Sequence, residues 1–530
     1  MEEIRRVVRG SSLRVVGLAA NTLVGFFFIP FLVHNLGDRV YGFWAIIATI
    51  LGYYGLLDLG IVAAVQFLVA KALGERNAAA ANRAIATAFY SFAVLGIVIL
   101  LITAAVAWFA PHFIADHRDV VMFRQVLVIM GVGAAIGFPG RAFIGALSAH
   151  LRWDIIASTG MAVLLLRAGS IIVLIKLGWG IVALAVATVF TDALAYGVYF
   201  VVLRRIQDQF HLSLSLAKIS VLKEVLSYSA YSLILKISEQ LRFYIDVLVV
   251  SGLIGVSAVT HYSVGSRLAL SFRDLLIAIL GILSPWFSVM LGNREYQKMR
   301  WLLAFSTKVS VTISMPIVMC LTLYGRGFIE AWMGKEYLDA YWPLVLLSWS
   351  VFFVGVQLPS SAYLYGVFKH RFLAYTGLVE SLTNAGLSIY LAHHYGLVGV
   401  AMGTIIPSMA VCLVVEPVYA CRQAGLSIKE FYVRIYGRAA GVTLVAMLGP
   451  WLLVFRFLAR PTLFHLGAHV FCQLVIAAAA GYWFVMDKDE RSHLERALFR
   501  RIGAPKPAAP YESVTVCSPG PAETLRSEGS

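Results

Sequence analysis

Long apolar runs separated by short polar segments follow one another along almost the whole chain. Runs of about 20 apolar residues, the length of a helix that crosses the hydrocarbon core of a bilayer, recur from Leu13 to Met486. The pattern predicts fourteen membrane-spanning helices, at 13–34, 42–67, 85–110, 125–147, 155–176, 179–203, 229–252, 258–284, 301–324, 343–366, 372–394, 396–420, 436–456 and 466–486. We therefore expect an all-α polytopic membrane protein. The first run lacks a small-residue cleavage site, so we expect it to remain as the first helix and not to be removed as a signal peptide.

Composition agrees with that interpretation, because 60% of the 530 residues are hydrophobic and only 13% are charged. These values exclude an ordinary soluble domain. The formal net charge of +15 invites comparison with nucleic-acid-binding proteins, but its distribution indicates membrane topology instead. With the N-terminus inside, 29 Lys and Arg residues fall on the inner side and 8 in the outer loops. The positive-inside rule then predicts a plasma-membrane protein with both termini in the cytoplasm and no nucleic-acid partner.

An internal repeat suggests that the spans form two bundles. Gly180-Ile-Val-Ala-Leu-Ala-Val-Ala-Thr188 and Gly396-Leu-Val-Gly-Val-Ala-Met-Gly-Thr404 open the sixth and twelfth spans, with Gly, Val, Ala and Thr at the same registers. Small residues also serve close helix packing in membranes, but the equivalent positions favour a repeat with a site between two lobes. The predicted divisions are a six-helix bundle at 1–203, a cytoplasmic linker at 204–228, a second bundle at 229–420, two additional helices at 421–486 and a polar, partly disordered cytoplasmic tail at 487–530.

Four charges interrupt the seventh span. Lys236, Glu239, Arg242 and Asp246 fall on one stripe of a helix. A single charge at the bilayer centre costs at least ~2.5–3.5 kcal/mol, so such a stripe is expected to face water, other charges or a polar cargo. Two alternatives remain open: the helix begins later, leaving the first charges in a loop, or Lys236/Glu239 and Arg242/Asp246 neutralise each other.

Several segments resemble one known family. In the first half these segments are Asn21, Pro30-Phe-Leu-Val-His-Asn-Leu-Gly37, Tyr41-Gly42 and Leu57-Asp58-Leu-Gly60. In the second half they are Asp246, Gly255, Tyr262-Ser-Val-Gly-Ser-Arg267, Pro285, Asn384 and Tyr395-Gly-Leu-Val-Gly-Val-Ala401. Together, in this order and with fourteen spans, they resemble the Wzx-type polysaccharide flippases of the multidrug/oligosaccharidyl-lipid/polysaccharide exporter superfamily. The resemblance covers residues 10–485.

The resemblance implies two pseudo-symmetric six-helix bundles that form a V, two appended helices, and alternating access to a central cavity. It also implies a cargo, a lipid-linked oligosaccharide that is flipped across the plasma membrane for polysaccharide biosynthesis. Diphosphate groups need cations, and arginine offers them bidentate geometry. The predicted substrate cavity comprises Lys236, Arg242, Arg267, Arg273, Arg167 and Asn21. Arg167 pairing with Asp192, and Arg267 pairing with Asp274, are the alternatives.

Related members can be driven by ions, and the candidates for coupling Na⁺ or H⁺ are Asp246, Glu239, Glu380 and Asn384. Glu380 and Asn384 share a helix face at i, i+4, although a helix–helix hydrogen bond explains that spacing equally well. We leave three other polar residues out of the site. Lys308 is expected to snorkel to the inner surface, Glu416 lies near an inner helix end, and Asp58 is expected to cap or orient helices.

No ATP-binding loop, His-Glu-x-x-His pair or paired cysteine ligands occur in the sequence. The five cysteines show no paired spacing, so we expect no disulfide framework, metal site, cofactor or enzymatic activity. The alternatives to a flippase are a multidrug or small-cation antiporter of the same superfamily and a membrane glycosyltransferase, polymerase or ligase. The expected partners are the cargo, Na⁺ or H⁺, membrane lipids and the polysaccharide polymerase machinery, with the chain itself a monomer.

Overall fold

The computed structural model describes residues 2–114, 116–207, 210–218, 230–281, 283–453 and 463–492. Within these ranges the regular structure is helical and no strand occurs, which confirms the predicted all-α class. The helices of the first half are α1 Glu2–Leu36, α2 Asp38–Tyr54, α3 Ile61–Gly74, α4 Ala78–Phe113, α5 His117–Gly137, α6 Arg141–Ala149, α7 Trp153–Lys176 and α8 Val182–Ile206.

The helices of the second half are α9 Ala230–Leu253, α10 Val256–Leu280, α11 Leu283–Gly292, α12 Tyr296–Trp332, α13 Tyr341–Gly366, α14 His370–Ala410, α15 Glu416–Ala424, α16 Ile428–Glu430, α17 Arg438–Leu453 and α18 Leu463–Ala480. Three π-helical segments, Val411–Val415, Phe431–Gly437 and Gly481–Val485, join or extend them. We call the described residues up to 218 the N-terminal half and those from 230 to 485 the C-terminal half.

Eleven helical stretches in the described ranges are long and apolar enough to cross a membrane, so the chain is a multi-pass membrane protein. The predicted count of fourteen stays a prediction. The further candidates are α1, α9 with its charges, and the second arm of α14, which counts within one 55-residue stretch from His370 to Ala424. That stretch bends back at Gly396, where φ is 57°.

The two segments of the sequence repeat both begin at a glycine with positive φ, 53° at Gly180 and 57° at Gly396. Glycine adopts this left-handed conformation without steric cost, which lets each chain reverse abruptly. At Gly396 the reversal divides α14 into two antiparallel arms. They pack so closely that a β-carbon on Gly403 would lie 2.3 Å from the Ser388 Oγ atom.

The two halves meet at the end of the molecule that contains the α1–α2 turn. There the Thr260 hydroxyl donates to the carbonyl oxygen of Asp38 (2.6 Å), and the Tyr337 hydroxyl donates to the Asp38 carboxylate (2.5 Å). A hydrophobic cluster at the same end combines Leu32 and Leu184 of the N-terminal half with Trp332 of the other. Two clusters at the opposite end each contain residues of one half alone, so the halves are joined more extensively at the Asp38 end.

The predicted domain divisions remain predictions. Residues Met1–Val485 form one compact unit and Met486–Ser530 a second, of which the structure describes only the start. Helix α8 continues to Ile206, three residues beyond the predicted end of the first bundle. The Lys218 amide donates to the Thr87 hydroxyl (3.1 Å), so the described part of the linker packs on α4. Residues 219–228 of the predicted linker and residues 493–530 of the predicted tail lie outside the described residues.

Candidate functional site

The four charges of the predicted stripe lie on one helix, α9, and each contacts a different segment of the chain. Because α9 begins at Ala230, the alternative that the first charges lie in a loop is wrong. The partners are Asp58 for Lys236 (3.0 Å), Arg273 for Glu239 (3.5 Å), Glu380 for Arg242, and Tyr262 for Asp246 (2.5 Å). The second alternative, in which the four charges neutralise one another within the helix, is therefore wrong as well.

The ion pair between Arg242 and Glu380 is the most deeply buried of the three ion pairs made by α9. The Glu380 side chain has an exposed fraction of 0% and that of Arg242 13%. The second carboxylate oxygen of Glu380 accepts a hydrogen bond from Ser408 on the other arm of α14 (2.8 Å). This pair links α9 to both arms of α14, and it leaves neither Arg242 nor Glu380 available as a free charge.

Asp246 lies in a separate cluster of oxygen atoms on the same helices. Its carboxylate accepts hydrogen bonds from Tyr262 (2.5 Å) and Thr404 (2.8 Å), with the Ser388 hydroxyl at 3.4 Å. The Asn384 amide oxygen accepts from Ser388 (2.9 Å) and Thr404 (3.3 Å). Among the described residues no Lys or Arg nitrogen lies within 4.0 Å of Asp246, so its negative charge has no cationic partner.

Asn384 also makes a helix–helix hydrogen bond, the alternative that the sequence analysis gave for its spacing from Glu380. Its amide nitrogen donates to the backbone oxygen of Arg242 (3.0 Å). Asn384 and Asp246 are thus brought together, whereas Glu380 belongs to the ion pair. Glu239, the remaining predicted coupling residue, is half-exposed and faces Arg273. The structure does not bring Glu239 into the Asp246 cluster.

Arg273 is held between two carboxylates and an aromatic ring. It lies 3.5 Å from Glu239 and 3.3 Å from Asp274, and its guanidinium stacks over Phe243 at 4.4 Å. Asp274 therefore pairs with Arg273 and not with Arg267, contrary to the sequence alternative. Because Lys236, Arg242 and Arg273 all have acidic partners, these cations form a charge-balanced network and not the free basic lining that the sequence suggested.

Arg267 is different from these three cations. It is exposed, and among the described residues no carboxylate oxygen lies within 4.0 Å of its guanidinium. The guanidinium lies against Gly25 of α1, where a β-carbon would be 3.6 Å from one terminal nitrogen. Gly17, Asn21 and Gly25 follow one another at i, i+4 and share a helix face. Arg267 therefore stands at the end of the α1 face that carries Asn21.

That α1 face lines a cavity of about 460 Å³ in the N-terminal half, enclosed by α1, α6, α7 and α8. Asn21, Arg167, Asp192 and Tyr196 contribute its polar groups. Arg167 forms an ion pair with Asp192 and donates to the Thr191 hydroxyl (3.0 Å), so the predicted pairing alternative is realised. Both side chains of the pair nevertheless remain accessible, with exposed fractions of 31% for Arg167 and 49% for Asp192.

The three residues that the sequence analysis set aside are all buried. Asp58 pairs with Lys236 and also accepts the amide of Val62 at the start of α3 (3.2 Å). Lys308 is buried, with an exposed fraction of 8%, and the expectation that it snorkels stays a prediction. Glu416 is buried as well and accepts hydrogen bonds from Ser361 and Thr376. Its charge within an apolar span was the signal that could have identified it.

Comparison with known sequences assigns this chain to a protein family. A family model described as a polysaccharide biosynthesis protein matches residues 36–342, more than half of the chain. The membrane protein EpsK of Bacillus subtilis is 23% identical over 508 residues, covering 90% of this chain and 94% of that protein. The succinoglycan biosynthesis transport protein ExoT of Rhizobium meliloti is 26% identical over 290 residues, covering 52% and 56%.

Two solved transporters share the fold. An inward-facing multidrug resistance transporter of the MATE family has a TM-score of 0.64 at 16% identity, covering 78% of this chain and 98% of that one. The lipid II flippase MurJ in an inward closed conformation has a TM-score of 0.66 at 15% identity, covering 94% and 100%. The family match confirms the resemblance noted in the sequence: this chain belongs to the polysaccharide biosynthesis protein family.

Proposed function

We propose that this protein flips a lipid-linked oligosaccharide, a polyprenyl-diphosphate sugar, from the inner to the outer leaflet of the plasma membrane by alternating access. Family membership and the transporter relatives support a transporter and not an enzyme. The proposal depends most on the surroundings of Arg267. It is an exposed cation without a carboxylate partner among the described residues, and it stands beside the α1 face that lines a cavity.

The chemistry of the cargo suits that arrangement. A diphosphate carries negative charge and binds best to a guanidinium that is not already neutralised. The sugar needs a wet, polar space, which the cavity around Asn21 and Arg167 provides. The polyprenyl chain can remain in the lipid. In this proposal Arg267 binds phosphate, while Arg167 and Asn21 contact the sugar.

The topology is part of the same proposal. The excess of Lys and Arg in alternate loops supports cytoplasmic termini, and in that topology the Asp38 contacts would lie at the outer surface. The halves would then be closed toward the outside and less extensively joined toward the cytoplasm, where the cargo is made. We include association of a monomer with the polysaccharide polymerase machinery in this proposal, because the flipped product is that machinery's substrate.

We also propose that transport is coupled to a monovalent cation, Na⁺ or H⁺, bound at Asp246. A buried carboxylate without a cationic partner is costly, and oxygen atoms of Thr404, Ser388 and Asn384 surround this one. Binding a cation there would neutralise a cluster that joins α9, α10 and both arms of α14. The bound ion would in this way favour one packing of the C-terminal half over another.

The test is leaflet accessibility of a labelled polyprenyl-diphosphate oligosaccharide in proteoliposomes, with and without Na⁺ and pH gradients. We expect wild type to accelerate transfer and Arg267→Ala to lose most of that acceleration. Arg326→Ala, which removes another exposed cation, is the matched control and is expected to behave as wild type. Equal transfer by wild type and Arg267→Ala would contradict the role of Arg267.

A multidrug or small-cation antiporter is the second candidate, and one observation favours it. Four of the five predicted cavity cations are paired with carboxylates, so the basic character that argued against a cationic substrate is weaker than the sequence implied. The same vesicles distinguish the two functions. Gradient-driven uptake of an organic cation, without transfer of any lipid-linked oligosaccharide, would establish the antiporter.

A further inference from the structure

Glu416 is a buried carboxyl group that the proposed mechanism leaves unused. It begins α15, close to the cytoplasmic end in the proposed topology, yet its exposed fraction is 3%. Thr376 of α14 and Ser361 of α13 donate to its two carboxylate oxygens, at 3.0 and 3.1 Å. Among the described residues no Lys or Arg nitrogen lies within 4.0 Å of it. The direct hydrogen-bond donors to this acid among the described residues are thus both hydroxyl groups.

The charges around Glu416 do not balance. From α9 the charged group that acts on it is Arg242, and from α14 it is Glu380, which already forms an ion pair with Arg242. Cys412 lies one turn earlier on its own segment, and α13 contributes Tyr365. One guanidinium therefore serves two buried carboxyl groups, Glu380 and Glu416. Because isolated charge is costly in such surroundings, the second carboxyl group needs a positive charge from outside the protein.

The local geometry suits a proton better than a metal ion. Hard cations prefer about six oxygen ligands, whereas Glu416 has two hydroxyl groups beside its own oxygens. Two further polar side chains, Tyr365 and Gln357, interact with Glu416 or with one of its hydroxyl donors. Tyr365, whose exposed fraction is 41%, interacts electrostatically with both Glu416 and the half-exposed Glu239. On the other side Gln357 donates to Ser361 (2.6 Å), which in turn donates to Glu416.

The backbone directly before Glu416 is irregular. The π-helical segment Val411–Val415 directly precedes it, and Pro417 follows it. Such π-helical insertions are frequently found at functional sites. This irregular segment lies directly beside the residue whose charge would change.

We propose that Glu416 is a proton-binding site of the C-terminal half, separate from the cation site at Asp246. Protonation from the cytoplasmic side neutralises the carboxyl group and preserves its contacts with Ser361 and Thr376. Deprotonation leaves a negative charge that draws Arg242 away from Glu380 and loosens the packing of α9 against α14. The two sites would give the C-terminal half two exchangeable monovalent cations, whatever cargo the protein carries.

The experiment is infrared difference spectroscopy of the full chain in lipid nanodiscs without cargo, between acid and alkaline pH. We expect a carbonyl-stretch band of a protonated carboxyl group that disappears at alkaline pH. Glu416→Gln is expected to lose that component. Glu430→Gln is the matched control, because Glu430 is exposed and pairs with Arg434 on the surface, and it is expected to retain the band.

An unchanged pH-dependent spectrum in Glu416→Gln would overturn the proposal. If that variant does not fold, Ser361→Ala combined with Thr376→Ala serves instead, because removal of both hydroxyl donors should shift the pH midpoint of the band. No shift would equally overturn it. Since no cargo is present, failure of the proposed flippase function would leave this result intact, and a missing band would leave the flippase assay unaffected.

Discussion

The two halves of the molecule contain related helical hairpins whose charged residues differ in burial. In the N-terminal half, α7 and α8 carry the Arg167–Asp192 ion pair at the wall of a cavity. In the C-terminal half, the arms of α14 carry Glu380 and Ser408, sealed against Arg242 of α9. Asp192 and Ser408 occupy the same position, twelve residues after Gly180 and Gly396. The same position in the repeat is thus exposed at a cavity wall in one half and buried in the other.

Small residues account for part of this difference. The second hairpin has Gly399 and Gly403 where the first has Ala183 and Ala187. A β-carbon at Gly399 would lie 2.1 Å from the Leu391 carbonyl oxygen, so only glycine permits this approach. The closer arms bury the polar cluster, in which Glu380 has the Arg242 guanidinium as a partner and Asp246 has only hydroxyl groups. We infer that the first half binds the cargo and that the second half contains the charged groups that couple transport to an ion.

The largest expected effect comes from breaking the buried pair. Arg242→Ala leaves Glu380 charged and unpaired in an apolar interior, which should lower the free energy of unfolding by about 3–5 kcal/mol. Denaturant titration in mixed micelles measures this. Replacing both residues by methionine should recover most of the loss, because no uncompensated charge remains. A single variant as stable as wild type would contradict the buried character of the pair.

A smaller effect is expected from separating the arms of the second hairpin. In Gly403→Ala the new β-carbon would lie 2.3 Å from the Ser388 Oγ atom and 2.4 Å from the Ser388 backbone nitrogen. The arms must move apart, at a cost of about 1–3 kcal/mol, and the Ser388 contacts with Asp246 and Asn384 should weaken. Any Na⁺ or H⁺ dependence of transport should then decline.

Gly386→Ala is the matched control for that substitution. Gly386 lies on the same hairpin, but a β-carbon there meets no atom within 4 Å. In a helix interior alanine is more favourable than glycine by up to about 1 kcal/mol, so this variant should be neutral or more stable. Equal effects of the two substitutions would show that the close approach at Gly403 is not what seals the cluster.

The sequence identified the helices and the residues of the charged clusters far better than it identified the partners. Apolar length locates a span, and a local spacing such as that of Glu380 and Asn384 shows which residues share a face. Contacts across helices leave no such local trace. Lys236 and Asp58 are 178 residues apart, and Arg242 and Glu380 are 138 apart. A single sequence does not show which faces meet.

The assumption that in-membrane cations are free for cargo failed for the same reason. Arg273 and Arg267 both lie on α10 and appear equivalent in the sequence. Only the arrangement of the neighbouring helices shows that Arg273 lies between Glu239 and Asp274 while Arg267 lies against Gly25. Similarly, Glu416 was set aside because it lies near a helix end, but its burial depends on how α13 and α14 pack over it.

The smallest expected effect on stability concerns the open pair of the first half. Arg167→Ala removes an ion pair whose two side chains are both accessible, and exposed pairs contribute only about 0.2–1 kcal/mol. A double-mutant cycle with Asp192→Ala should therefore give a coupling energy well below that of Arg242 with Glu380. Transfer of the labelled lipid-linked oligosaccharide should nevertheless decline in Arg167→Ala, because the side chain lines the proposed sugar-binding cavity. A coupling energy as large as that of the buried pair would contradict the difference in burial between the two pairs. It would also remove the argument that the first half binds the cargo and the second half couples transport to an ion.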